Sequence, residues 1–443
     1  MRDEVEAFCR PFILHPSAFF LHPLSMSVPA ITVTPEEAVR GLLGAERVLR
    51  AFRFFEERAA EFDEEHAEIV ALPAPPFGER ERAEMMREKF GACGLEGARI
   101  DEEGNCLALR RGRAAAPLLV LSAHLDTVFP AGTDCAVRRE PSGLMRAPGI
   151  ADDGCGLAAL LAVARAMREC GIETEGTLLF VGTVGEEGEG DLRGVRHLLT
   201  AGEWAGRADA FVSIDGPGLE RVTHAALASR RYRVTCRGAG GHSWGDFGVP
   251  NPVHALGRAV ARLSAYPAPK RPRTTFNVGR IEGGSGVNVI PRDARMDVDL
   301  RSESPVELGR LDAFFRRAAR EAAEDENAAR RAGAPTLEIE IKLIGDRPGG
   351  ATPPEQALVR LAVEATRALG SRPYLDCSST DSNIAISRGL PAVTIGAGGA
   401  SGNTHTLDEW YDPAGRDLGL KRALLVALGV VGVVGLQENP ARR

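Results

Sequence analysis

Short apolar runs alternate with helical patterns along most of the chain. Residues 118–123, 177–184, 210–214 and 392–395 are nearly continuous in apolar character, as strands buried on both faces are. The 3.6-residue period over 156–168 and 192–200 places helices between the first three of these. A further helix opens at Thr34-Pro35-Glu36-Glu37, where threonine caps, proline takes the first turn and the acids face the positive end of the helix dipole. Residues 79–90 and 355–369 carry helical patterns as well. Strands of this kind separated by helices predict an α/β fold with a mostly parallel sheet.

The middle of the chain has a different rhythm. Residues 231–237 and 294–301 alternate polar and apolar like half-solvated antiparallel strands, with helical patterns at 253–264 and 305–331 and another strand pattern at 337–344. The expected organisation is one discontinuous catalytic domain, residues 34–219 and 344–443, carrying a smaller α+β unit at 220–343 as an insertion. Residues 1–33 stand apart. Phe12-Ile-Leu-His-Pro-Ser recurs seven residues later as Phe19-Phe-Leu-His-Pro-Leu, while acids and prolines argue against a signal peptide. They are expected to form a disordered leader, with Met26 as an alternative start.

Composition narrows the function. The chain has 443 residues, 44% of them hydrophobic, and a formal charge of −7, which argues against nucleic acid as its main partner. Four of the 54 basic residues are lysines, so arginine carries nearly all the positive charge and a lysine Schiff base is disfavoured. Eight scattered cysteines without a C-x-x-C pair suit buried thiols in a reducing cytoplasm. The apolar stretch 424–436 is too short and glycine-broken to span a bilayer.

Ligands of open α/β sheets bind beyond the carboxyl ends of the strands. Here those ends deliver His124-Leu-Asp126, Gly185-Glu186-Glu187, Asp215-Gly216 and, after a glycine-rich loop, His405; the loop Gly149-Ile-Ala-Asp152-Asp153-Gly adds carboxylates. Taken singly, His124 reads as a buried structural histidine, Glu186-Glu187 as surface acid and Asp215 as a turn residue. Together, imidazoles and carboxylates suit zinc, or less selectively cobalt or manganese. Three carboxylates and two histidines exceed the needs of one catalytic ion and fit two ions sharing a bridging carboxylate. The glycine clusters lack the Lys-Ser/Thr of a phosphate loop.

From about Glu36 onward these motifs, in this order, resemble the di-zinc metallopeptidase family that includes glutamate carboxypeptidase, aminoacylase, tripeptide aminopeptidase, acetylornithine deacetylase and succinyl-diaminopimelate desuccinylase. The resemblance implies that His124 and Asp215 bind one zinc, Glu187 and His405 the other, and Asp152 both. It implies that Asp126 orients the His124 ring and that Glu186 is the general base for a hydroxide bridging the two ions. It also implies that the inserted unit is a ferredoxin-like lid through which the chain forms a homodimer. His242, in Gly240-Gly-His-Ser, would then supply the oxyanion donor across the dimer. Asn288 and Arg301 match substrate-holding positions, although Arg301 could equally pair with Asp299 or Glu303. One departure stands out. Where the family pattern has Asp-x-Lys-Gly-Gly, this chain reads Asp152-Asp153-Gly154-Cys155-Gly156.

The expected function is hydrolysis of an amide bond in di- or tripeptides. The alternative is an N-acyl-amino-acid deacylase, which would use the same metal ligands. A non-catalytic metal-binding dimer scaffold and a two-metal phosphoesterase are the readings from outside that class.

Overall fold

The computed structural model describes residues 33–436. The leader expected over residues 1–33 lies outside these except for Val33, and so does Cys9. Helix Pro35–Gly44 starts where its cap predicts. The Glu37 N–H donates to Thr34 Oγ1 at 3.2 Å, and the Thr34 N–H donates to the Glu37 carboxylate at 2.9 Å. Helices Glu46–Glu57 and Ala59–Val70 follow, burying Val48, Ala51, Phe55, Phe62 and Ile69 at spacings of three, four and seven residues.

A nine-stranded sheet forms the larger layer. Its order is Glu96–Ile100, Cys106–Arg110, Thr177–Thr183, Leu118–His124, Ala210–Ile214, Ala392–Ile395, Arg221–Ala226 and Gly350–Ala351, with Tyr374–Ser378 also paired to Arg221–Ala226. The four strands from Thr177–Thr183 to Ala392–Ile395 are parallel, and pairings toward both edges are largely antiparallel. The parallel centre is apolar because helices cover both faces. Leu119, Leu121 and Ala123 pack into one core and Leu118 and Val120 into the other, as the two-residue period of a strand requires. The late apolar stretch becomes part of helix Arg416–Val431, buried against the first of these cores. Among the described residues no helix is long and apolar enough to cross a membrane.

Strand Arg221–Ala226 still pairs within the large sheet, and the second sheet runs from Ala228 to Arg347. Its four antiparallel strands are ordered Thr274–Gly283, Asp293–Ser302, Ala228–Arg237, Glu338–Arg347. Helices Pro252–Ser264 and Pro305–Ala328 cover one face, where Ala294, Met296, Val298 and Leu300 meet Tyr232, Val234 and Cys236. The alternate residues form the open face, so Arg231 stands opposite Asp299 and Arg233 opposite Asp297. The seven cysteines among the described residues are all free thiols.

Candidate metal centre

Because the central strands run parallel, their carboxyl ends lie along one edge of the sheet. His124 is the last residue of Leu118–His124, Glu186 and Glu187 follow Thr177–Thr183, and Asp215 directly follows Ala210–Ile214. His405 arrives on the loop beyond Ala392–Ile395 with a φ of 67°. Asp152 comes from the turn Ile150–Gly154 that leads into helix Cys155–Glu169.

These side chains converge. Donor atoms of His124, Asp152 and Asp215 lie within 4.8 Å of one another, and so do those of Asp152, Glu187 and His405. Asp152 faces both groups, with Oδ1 2.8 Å from His124 Nε2 and Oδ2 3.0 Å from His405 Nε2. His405 Nε2 is also 3.0 Å from Glu187 Oε1. Glu186 and Glu187 form a third close group with His124.

Imidazole nitrogens and carboxylate oxygens without a thiolate make a donor set for zinc, cobalt or manganese. Burial pushes the carboxyls of Glu186 and Asp215 up, the expected response where acids crowd together away from water. Two divalent cations would relieve that crowding, so the residues present fit such a pair. His124 Nδ1 donates to the Asp126 carbonyl oxygen at 2.9 Å, which leaves the Nε2 lone pair facing the cluster.

Asp126 acts on a different partner from the one expected for its carboxylate. The carboxylate is 3.8 Å from the His124 ring and accepts the backbone N–H groups of Glu186 at 2.9 Å and Glu187 at 2.7 Å. The Asp126 backbone therefore orients the histidine, while its side chain fixes the glutamate pair. Asp153, fully buried, plays a comparable part. It accepts N–H groups from His124, Gly156 and Gly216, all at 3.1 Å, joining two strand ends to the turn that bears Asp152.

Two buried groups hold the site from greater distances in sequence. Glu409 accepts backbone N–H groups from Ala151 at 2.8 Å, Gly149 and Asp152 at 3.2 Å, and His405 at 3.3 Å. Arg347, 4% exposed, ends the last strand of the second sheet. Its Nη1 donates to Glu186 Oε1 at 3.2 Å and to Ser379 Oγ at 3.0 Å, and its Nη2 bonds the Glu186 carbonyl. Neither residue stands out in the sequence, beyond an arginine closing an alternating strand before Pro348-Gly-Gly.

The cluster opens into a cavity of about 500 Å³, whose wall includes Arg301 together with Arg221, Arg231 and Arg347. His242 and Asn288 lie elsewhere. They sit side by side on the second unit, where the Ser243 N–H donates to the Asn288 carbonyl at 3.0 Å, and both are exposed. His242 Nδ1 accepts the N–H groups of Trp244 at 3.2 Å and Gly245 at 3.3 Å, which places the ring proton on Nε2, pointing outward as a donor. The neighbouring Trp244, Phe247 and Val287 are 89%, 81% and 104% exposed.

The chain resembles known proteins across this architecture. It is 27% identical to a succinyl-diaminopimelate desuccinylase of Cereibacter sphaeroides over 374 residues, covering 79% of this chain and 93% of the relative. It shares its fold with aminopeptidase PepT of Bacillus cereus, with a TM-score of 0.66 and 21% identity over 84% of this chain and 98% of the other. A second solved structure, the Bacillus subtilis YXEP protein, described as a dinuclear metal-binding peptidase, aligns with a TM-score of 0.61 and 17% identity over 85% and 99%. The sequence model of peptidase family M20/M25/M40 matches residues 120–427, and the chain accordingly belongs to that family.

Proposed function

We propose that the protein is a zinc-dependent hydrolase that cleaves an amide bond in a small peptide. The observation that carries this is Asp152, whose two carboxylate oxygens face two separate imidazole–carboxylate groups. His124, Asp152 and Asp215 would hold one ion and Asp152, Glu187 and His405 the other; a pair of zinc ions so bound supplies Lewis acidity toward the carbonyl and acidifies water. Glu186 takes the proton of the attacking water and returns it to the leaving nitrogen. Burial makes its carboxylate a better proton acceptor, and Arg347 holds it in place. The amide bond formerly shared by acyl carbon and nitrogen breaks as the proton reaches nitrogen.

Support for peptides comes from the fold shared with PepT and YXEP. The desuccinylase relatives support a second reading, a deacylase of N-acyl amino acids. In either case His242 would donate to the oxyanion from a second copy, with Asn288 beside it. The exposed Trp244, Phe247 and Val287 form the apolar surface such a homodimer would cover. Free thiols at all seven described cysteines suit the cytoplasm.

A panel of di- and tripeptides and N-acyl amino acids on the zinc-loaded protein tests this reading. Glu186→Ala should retain both metals and lose at least about a hundredfold in rate, the usual scale of acid–base help. Unchanged turnover would refute the role of Glu186.

A further inference from the structure

The chain departs from its family pattern at Gly154, where the pattern has lysine. A Cβ there would come within 2.4 Å of Val70 Cγ2 and 3.0 Å of His66 Nε2, so no side chain fits unless these neighbours move. Gly154 has an ordinary helical φ of −55°, which leaves this packing as the reason for glycine. Both neighbours come from helix Ala59–Val70. His66 is wholly buried, and its Nε2 lies 2.6 Å from the carbonyl oxygen of Ile150, two residues before Asp152.

The other ring nitrogen decides how that contact is made. Arg416, buried at the start of helix Arg416–Val431, places Nη2 2.8 Å from His66 Nδ1. A guanidinium has donors and no acceptor, so Nδ1 carries the lone pair and the ring proton sits on Nε2, aimed at Ile150. Arg416 is held in turn. Its Nη1 is 2.6 Å from Asp63 Oδ1, and its Nε donates to the Tyr411 hydroxyl at 3.2 Å. That hydroxyl donates to the Gly398 carbonyl at 3.1 Å, and the Tyr411 ring meets the imidazole edge-on at 5.1 Å.

The turn Ile150–Gly154 needs outside support. Its backbone leaves the helical region at Asp152 and Asp153, with φ of −123° and −122°, so a regular helical ladder does not fix it. Glu409 takes N–H groups of Gly149, Ala151 and Asp152. His66 takes the Ile150 carbonyl. Donors and acceptors of the turn are thus held by two different side chains.

We propose that His66, kept in one tautomer by Arg416, is a positioning residue for the metal centre: through the Ile150 carbonyl it fixes the turn that presents Asp152. It brings to this turn a polar group that position 154 has no room to carry. The role rests on the metal-centre reading and adds to it a residue that is not itself a ligand.

The test compares two neutral amides in the full chain. In His66→Gln the amide reaches the place of Nε2 and can donate to Ile150. In His66→Asn it reaches only the place of Nδ1, meeting Arg416 and falling short of Ile150. Zinc affinity is measured by competition with a chelator, cobalt(II) gives a visible absorption spectrum, and melting of the metal-free proteins reports stability. His66→Asn should bind zinc about tenfold more weakly or worse, the usual scale for supporting partners of metal ligands, and shift the cobalt spectrum. Its kcat should fall while KM stays within about twofold. His66→Gln should keep the native spectrum and stay within about threefold of native affinity. Equal zinc affinity and equal spectra in the two variants, whatever their melting, would make His66 a packing residue and overturn the proposal. A second measurement does not depend on His66→Asn folding. With isotope-labelled histidine, the ring signal that is missing in His66→Gln identifies His66 in the unmodified protein. Its proton should be on Nε2, and a proton on Nδ1 would overturn the proposal. An unmodified protein that binds no zinc would remove the metal-centre reading, and the role of His66 with it.

Discussion

Replacing Glu409 with glutamine changes one oxygen of a buried carboxylate into an amide nitrogen of nearly the same shape. In the native protein one oxygen accepts Ala151 and Asp152 N–H groups and the other accepts those of Gly149 and His405. Whichever oxygen is lost, two backbone donors then face a donor. Hydrogen bonds to a charged partner contribute about 1.5–3 kcal/mol each, and three of these four are long at 3.2–3.3 Å, so the low end applies and the loss is about 3 kcal/mol. Unfolding entropy of about 2.1 cal/mol/K per residue over roughly 400 residues turns this into a melting shift of only about 4 °C. The metal should respond more strongly. The carboxylate anchors the backbone of both Asp152 and His405, and supporting partners of metal ligands typically affect affinity about 10- to 100-fold. The assay is metal affinity by competition with a chelator, alongside melting of metal-free Glu409→Gln. Unchanged affinity and unchanged melting together would refute a positioning role for Glu409.

Other perturbations probe separate parts of the site. The Arg347 guanidinium lowers a Glu186 carboxyl that burial otherwise raises, so Arg347→Gln should move the acidic limb of the kcat/KM profile to higher pH; an unmoved limb would show the ion pair to be inconsequential. Hydrogen bonds to Asp152 and Glu187 raise His405 to about 10 from its ordinary 6.5. In the metal-free protein the stability this confers is complete below about pH 6.5 and lost as pH rises toward 10. Metal requires the neutral ring, so binding near pH 7 should release protons and tighten with rising pH; calorimetry in buffers of different ionisation enthalpy that finds no release would contradict this. Trp244→Arg should dissociate the proposed dimer in sedimentation and lower the rate with it, whereas a fully active monomer would remove His242 from the mechanism.

Local periodicity made much of the architecture legible. The continuous apolar stretch at 118–123 reads as a doubly covered strand because such a strand has no polar face to show, and it lies under helices on both sides. The strict alternation at 294–301 likewise identifies a sheet with one open face. Strand Arg221–Ala226 was less legible, because His224 and Thr223 interrupt its apolar character at the margin of the large sheet. The candidate ligands His124, Glu187 and Asp215 were visible because each stands at or just beyond a strand end, where local pattern and chemistry coincide, whereas Asp152 lies in the turn that leads into helix Cys155–Glu169.

By itself the sequence determined the alternation of the central strands and helices and which side chains offer metal-ligating chemistry, since both follow from residue type and short-range spacing. Tertiary structure decided what holds those side chains and what surrounds them. Arg347 meets Glu186 across 161 positions and Glu409 meets Ala151 across 258, contacts that no local period encodes. It also decided that the Asp126 backbone, rather than its carboxylate, orients His124, and that arginines from two sheets share one cavity. Hydrogen bonds of this kind depend on angles and distances of a few tenths of an ångström, set only when the two sheets and their loops pack together.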